Sequence, residues 1–415
     1  MSGVRNLPAL AAVLAFLIAT PTLLNLAGVL IDDGNSFAIV AGGAFLLVGC
    51  AGVACLGRGW PRGGLLALAG LPLALAILGA VFWTIQSTLW ISGRNDVEEI
   101  AYSAVWLLAP AGLALVWRDH LDLRWLVRAM AVCGAAYVAA MTAHYLSGGG
   151  YQHSGRWHAG TSLEAIRCGR YAVVALWVML LVLADPDPAM PRGLRLALAS
   201  ALPLALLILL VSNARGPWLA FVIALLVTAV PLWRLVWPQL AGNARLMALV
   251  LTAMAASAVF LIMQLSGSET RFDRLVDQTQ DGGSSASRLR WITRNIRLFN
   301  QSDWNLLFGT GYRHALYYPH NIALEALVDG GLPHLVLLVA NLALAPVAWL
   351  LAPARNDPTA LALIGVWVIS IAGAMVSGSV SSELLPWQAT LLLALYHRQQ
   401  TAVPALRSDP TPAHP

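Results

Sequence analysis

Residues 196–213 read LALASALPLALLILLVSN and residues 217–236 read PWLAFVIALLVTAVPLWRLV, with only Ala214-Arg215-Gly216 between them. A run of about 20 apolar residues crosses a bilayer as a helix, because a helix satisfies its own backbone groups in hydrocarbon. Two such runs joined by so short a turn are antiparallel neighbours. The chain therefore reads as an all-α polytopic membrane protein. Composition agrees: 59% of the 415 residues are hydrophobic and 11% are charged, too few charges to cover a soluble globule of this length.

Working outward, hydropathy predicts about twelve transmembrane helices, over roughly 7–29, 36–56, 64–85, 99–117, 125–146, 168–184, 196–213, 217–236, 246–265, 322–351, 359–377 and 384–397. Arg5, Arg58, Arg62, Arg118, Arg124, Arg192, Arg195, Arg234, Arg245, Arg355 and Arg398 fall in one set of alternate loops. The opposite short loops carry Asp32, Asp33, Asp96, Glu98, Glu99 and Glu383. The positive-inside rule then predicts both termini in the cytoplasm, and an even span count predicts the same. The first apolar segment, behind Arg5, reads as a retained span rather than a removed signal peptide. Residues 1–400 are expected to form the transmembrane helical domain, and the proline-rich residues 401–415 a disordered cytoplasmic tail.

One connection breaks the pattern. Residues 266–321 are too long for a simple link, and they carry Arg271, Arg274, Arg288, Arg290, Arg294, Arg297 and Arg313. Long loops translocate whatever their charge, so this one is expected on the extracytoplasmic side with short helices of its own. Ser284-Ser285-Ala286-Ser287 supplies N-cap residues, and Leu289, Ile292, Ile296 and Phe299 repeat at helical spacing. This predicts a surface helix over about 287–299. Its Arg290, Arg294 and Arg297 would meet either lipid phosphates or a substrate.

Every basic side chain other than histidine is arginine, a bias that a GC-rich genome produces unaided. Any anion site here is then built from planar, permanently charged guanidinium groups. Cys50, Cys55, Cys133 and Cys168 sit in or beside apolar stretches, as small core residues do. Few ionisable residues lie near span centres, against the habit of ion-coupled transporters. The polar residues collect instead on the predicted extracytoplasmic face: Arg94, Arg156, His158, Arg167, Arg170, Arg215, the loop arginines, His314, His320 and Glu383. Cationic groups around a shared pocket, with a histidine able to move a proton, suit chemistry on a phosphate-bearing lipid.

Three patterns sharpen this reading. In Ser212-Asn213-Ala214-Arg215-Gly216-Pro217, Arg and Gly-Pro are expected to break the helix and leave a guanidinium at headgroup depth. Ser287-Arg288 opens the loop helix, where free N–H groups and the helix dipole attract anions. Phe308-Gly309-Thr310-Gly311-Tyr312 is followed by Tyr317-Tyr318-Pro319-His320-Asn321, in which Pro319 favours an extended chain before it. His320 and Asn321 then stand at the start of span 322–351. Position alone leaves His320 open as a structural or a catalytic residue.

Gly309-Thr310-Gly311-Tyr312, Pro319-His320-Asn321 and the run from Leu324 to Leu332 (LEALVDGGL) together resemble the signature of the O-antigen ligase and polymerase superfamily. Ser212 to Gly216 is similar to that family's Ser-x-x-Arg-Gly turn. Ser287-Arg288 with Trp291 resembles its loop motif, and Arg156 to Thr161 its Arg-x-x-Gly-Thr segment. The resemblance implies glycan transfer from an undecaprenyl-pyrophosphate donor at the periplasmic face of a Gram-negative inner membrane, with neither cofactor nor metal. By the same resemblance His320 is the catalytic base. Arg215, Arg288 and Arg156 hold the pyrophosphate, with Asn321, Ser287 and Tyr312 in support. Arg156 is the weaker correspondence, since Ser162-Leu163-Glu164 stands where the family's downstream Asn-type position would be.

The expected donor is a lipid-linked glycan and the expected acceptor is lipid A-core oligosaccharide; no nucleic-acid partner is expected. A polymerase joining lipid-linked repeat units is the nearest alternative, followed by a protein O-oligosaccharyltransferase. From another class, a lipid-linked glycan flippase or exporter would need a polar lumen through the spans. Two decoys are set aside. Asp185-Pro186-Asp187 matches a metal-binding Asp-x-Asp pattern but reads as a cytoplasmic turn, and His153 with His158 lacks a third zinc ligand.

Overall fold

The computed structural model describes residues 122–153, 156–160, 165–185, 190–241, 284–310, 321–377 and 385–407. The four spans expected before residue 121 and the one over 246–265 lie outside these residues. The described helices are α1 (Leu123–Leu146), α2 (Ala165–Leu183), α3 (Arg192–Ser212), α4 (Arg215–Ala241), α5 (Ser284–Phe299), α6 (Asp303–Phe308), α7 (Ile322–Leu351), α8 (Pro358–Ser377) and α9 (Leu385–Arg407). Six of them are long and apolar enough to cross a membrane: α1, α2, α3, Gly216–Leu235 of α4, α7 and Pro358–Val376 of α8. Each lies within about one turn of its predicted bounds. The protein is a multi-pass helical membrane protein. The last helix, α9, continues to Arg407, past the point where hydropathy ends the final span.

Helices α2 and α8 form the inside of the described bundle, at 67% and 72% buried, whereas the α4 span is only 17% buried. Helix α2 packs on α1, α3, α4 and α8, and α8 packs on α4, α7 and α9 as well. Apolar side chains gain little from leaving lipid for one another, so membrane helices associate by close contact at small residues. Gly134 of α1 faces Ala175 of α2, where an added Cβ would lie 2.8 Å from the alanine Cβ. Gly365 of α8 leaves the space that the Trp177 indole of α2 fills, and the indole Nε1–H donates to the Leu361 carbonyl at 3.2 Å. Of the cysteines, Cys168 is a buried free thiol and Cys133 a half-buried one.

At one end of the bundle Asp185, just after α2, accepts from Arg124 Nε at 2.8 Å and from Arg128 at 3.2 Å, both on the first turns of α1. A further bond joins Arg124 to the other carboxylate oxygen, so the pair is bidentate. The carboxylate that resembled a metal ligand is thus held by two guanidinium groups. The same end closes α7, α8 and α9 together, since the Tyr396 hydroxyl lies 3.0 Å from the Asp357 carboxylate and 3.1 Å from the Ala354 carbonyl.

The opposite end holds an element that apolar periodicity does not announce. β1 (Tyr151–His153) and β2 (Arg156–His158) form an antiparallel hairpin with Gln152 opposite Trp157. It is clamped to the C-terminal end of α1. Trp157 is buried, donates to the Gly149 carbonyl at 3.0 Å and meets Tyr145 edge to face at 5.4 Å. His144 lies 3.1 Å from the Ala159 carbonyl through Nε2.

Span 322–351 is not one straight helix. Gly331 has φ +73° and ψ −171°, which breaks α7 into two helical pieces. Leu332 and Pro333 follow, and proline has no N–H to give, so the carbonyls ahead of the break lose their usual helical donors. Residues 332–351 alone, at about 20, suffice to cross the hydrocarbon. The piece before the break buries Glu325 and Asp329 among its packed residues.

Candidate functional site

The loop helices dock on α7 at its break. The predicted loop helix is present as α5, starting at Ser284, and its inward seam differs by one position from the apolar stripe read in the sequence. Asn295 and Phe299 are buried and Ile296 is exposed. The helix packs against α7. Arg290, Arg294 and Arg297 are exposed, as expected. Ser302 caps α6 through its hydroxyl, which accepts from the Asn305 N–H at 3.2 Å. Asn305 in turn donates from Nδ2 to the Leu298 carbonyl at 3.0 Å, fastening α6 to the end of α5.

Beyond α6 the chain is pinned to the α7 break. Thr310 donates its backbone N–H to the Val328 carbonyl at 2.7 Å and its hydroxyl to the same oxygen at 3.1 Å. That carbonyl lies three residues before the break at Gly331. Close approach of the two backbones requires glycine on both sides. Gly309 has φ +73°, and a Cβ there would meet the Asp329 carbonyl and lie 2.5 Å from Gly330 N. A Cβ on Gly331 would lie 2.6 Å from the Leu307 carbonyl oxygen. The two halves of the resembling signature, Gly309-Thr310 and Asp329-Gly330-Gly331, are therefore one contact in space.

His320 and Tyr312 lie outside the described residues. Asn321, which follows His320, is the N-cap of α7. Its Oδ1 accepts from the N–H groups of Ala323 and Leu324, both at 3.0 Å. Its Nδ2 donates to the Met375 carbonyl of α8 at 3.0 Å. One side chain thus starts the helix that His320 precedes and ties that start to its neighbour.

Arg215 is the first residue of α4, and the helix break before it is earlier than the sequence implied. Asn213 caps α3 with φ +46°, the one non-glycine residue with positive φ among those described. Gly216 and Pro217 sit within the first turn of α4, where proline is tolerated because that turn has no N–H partner to lose. The turn rests on α2: a Cβ added to Gly169 would lie 2.8 Å from Ser212 Oγ and 3.0 Å from Pro217 Cγ.

Ser287 and Arg288 lie in the first and second turns of α5 rather than at its opening, since the helix starts at Ser284. Arg156 begins β2 and is half-buried, and its strand packs against α2 and α3, the helices that border the Arg215 turn. Sequence reasoning passed over Gly169 and Gly373, and it named Arg170 only as one of many cationic groups on the expected extracytoplasmic face. Arg170 is buried in the second turn of α2, and Gly373 of α8 makes room for it. A glycine and an arginine side by side within an apolar run was the available signal. Among the described residues, no group of three His, Cys, Asp or Glu side chains gathers in a metal-holding arrangement.

No curated protein matches the chain. Residues 200–339, from the second half of α3 through the α5–α6 loop and across the α7 break, match the family model described as O-Antigen ligase.

Proposed function

We propose that this protein transfers O-antigen polysaccharide from undecaprenyl pyrophosphate to the lipid A-core oligosaccharide, at the periplasmic face of the inner membrane. The observation that carries the reading is the anchoring of the helix start after His320. Asn321 caps α7 and bonds to α8 at the end of the bundle where Ser212 and Pro217, flanking Arg215, pack on α2.

In the mechanism that follows, His320 acts as general base in its neutral form. It accepts the proton of an acceptor-sugar hydroxyl as that oxygen bonds to the anomeric carbon of the donor. The bond from the anomeric carbon to the pyrophosphate oxygen breaks, and undecaprenyl pyrophosphate leaves with the electron pair. Arg215 and Arg288, with Arg156 from the hairpin, offset the charge that develops on the leaving group. A single displacement inverts the anomeric configuration. Asn321 holds the backbone beside the base, and Ser287 and Tyr312 support the binding groups.

Deleting the gene tests this. A ligase is expected to leave lipopolysaccharide cores bare while long lipid-linked polymer accumulates. Cores bearing a single repeat unit would instead establish a polymerase, and unchanged lipopolysaccharide would exclude both.

A further inference from the structure

Arg170 is only 5% exposed inside the described bundle, two turns into α2. A buried guanidinium costs desolvation that an apolar side chain of similar size would avoid, and inside a membrane protein such a group is by default functional. Three contacts fix where it sits. Its chain neighbour Gly169 lies against Ser212 and Pro217, which flank Arg215. Its side chain lies over Gly373 of α8, where an added Cβ would be 2.5 Å from Nε and 2.9 Å from Cζ. Two residues past Gly373, the Met375 carbonyl receives Asn321, the residue after His320. One permanent positive charge therefore stands between the turn that carries Arg215 and the helix start that follows His320.

We propose that Arg170 is an anion-binding residue of the same site, supplying positive charge from within the bundle to the pyrophosphate of a polyprenyl donor. The inference rests on the reading that this site takes a polyprenyl pyrophosphate. It adds α2 to the elements that supply the site, since Arg170 belongs to α2, and it assigns Gly373 the task of leaving room for the guanidinium. A guanidinium stays charged at every working pH, and a low-dielectric surround strengthens its pull on a phosphate group.

The test uses the full chain in lipid nanodiscs with farnesyl pyrophosphate as probe, read by titration calorimetry beside thermal unfolding. Losing one charged hydrogen-bonding group is expected to weaken binding by about tenfold or more. Arg170→Met should show that loss at a nearly unchanged melting temperature, and Arg170→Lys should restore part of the affinity. Gly373→Ala keeps every charge but displaces the guanidinium, and should also weaken binding. Wild-type affinity in Arg170→Met overturns the proposal while leaving the functional reading intact. Equal loss of stability and affinity in Arg170→Met, with no recovery in Arg170→Lys, assigns Arg170 a purely structural role. If Arg170→Met does not fold, Gly373→Ala decides, and undiminished binding there refutes the idea. Failure of the wild type to bind the probe removes both the proposal and the reading beneath it.

Discussion

The two ends of the helix bundle use their polar residues differently. At the end where α1 begins and α2 stops, Arg124 and Arg128 close on the Asp185 carboxylate, and Tyr396 bridges to Asp357 and Ala354. Charged and polar side chains there close on one another, and the outcome is a clamp. At the other end, glycines and caps hold backbone segments against each other: Gly169 under the Ser212–Pro217 turn, Gly373 beneath Arg170, Gly309 against the α7 break, Asn321 on Met375. The contrast teaches that arginine content does not mark the site. What marks the proposed site is the convergence of helix starts, left-handed residues and close backbone contacts at one end.

Substitutions separate the two ends. His320→Ala should lower glycan transfer by about 10²–10⁴-fold, the usual contribution of a general base, while donor binding persists. Transfer in reconstituted membranes measures it, and full activity would take the base role from His320. Gly309→Val forces a β-branched residue into φ +73° and against the Asp329 carbonyl. The expected cost is about 3 kcal/mol or more of stability, read by thermal unfolding in detergent. Transfer by the surviving folded protein should fall as well, because the segment leading to His320 is displaced.

At the clamp end, Asp185→Ala leaves Arg128 without its buried carboxylate, while the half-exposed Arg124 turns to solvent. Screening reduces the loss to about 1–3 kcal/mol. The turnover of the folded fraction should be unchanged, and a fall in turnover at constant stability would erase the distinction between the ends. Asn321→Ala removes a helix cap and should cost about 1 kcal/mol. Its transfer rate should drop by more than that cost explains, since the cap also places the start of α7 on α8. A rate that merely tracks the melting temperature would reduce Asn321 to a structural cap.

Apolar runs by themselves determined the helices that cross the membrane. A mostly apolar run of about 20 residues has no other way to satisfy its backbone in lipid, so the predicted spans from 125–146 to 359–377 reappear wherever the chain is described. The loop helix was legible for a similar local reason, its serine-rich start and helical spacing, and so were the Gly-Thr and Asp-Gly-Gly blocks as candidates. Distance along the chain concealed the rest. Nothing local says that the Val328 carbonyl beside the break at Gly331 would be taken up by Thr310, or that Asn295 and not Ile296 would be buried. The hairpin at Arg156 was missed because two three-residue strands leave no apolar period to read. Arg170 was counted among many arginines until Gly169 and Gly373, far apart in sequence, showed what surrounds it. Spans follow from transfer to hydrocarbon, a property of each segment alone; the site follows from which backbones can touch, and only the packed helices decide that.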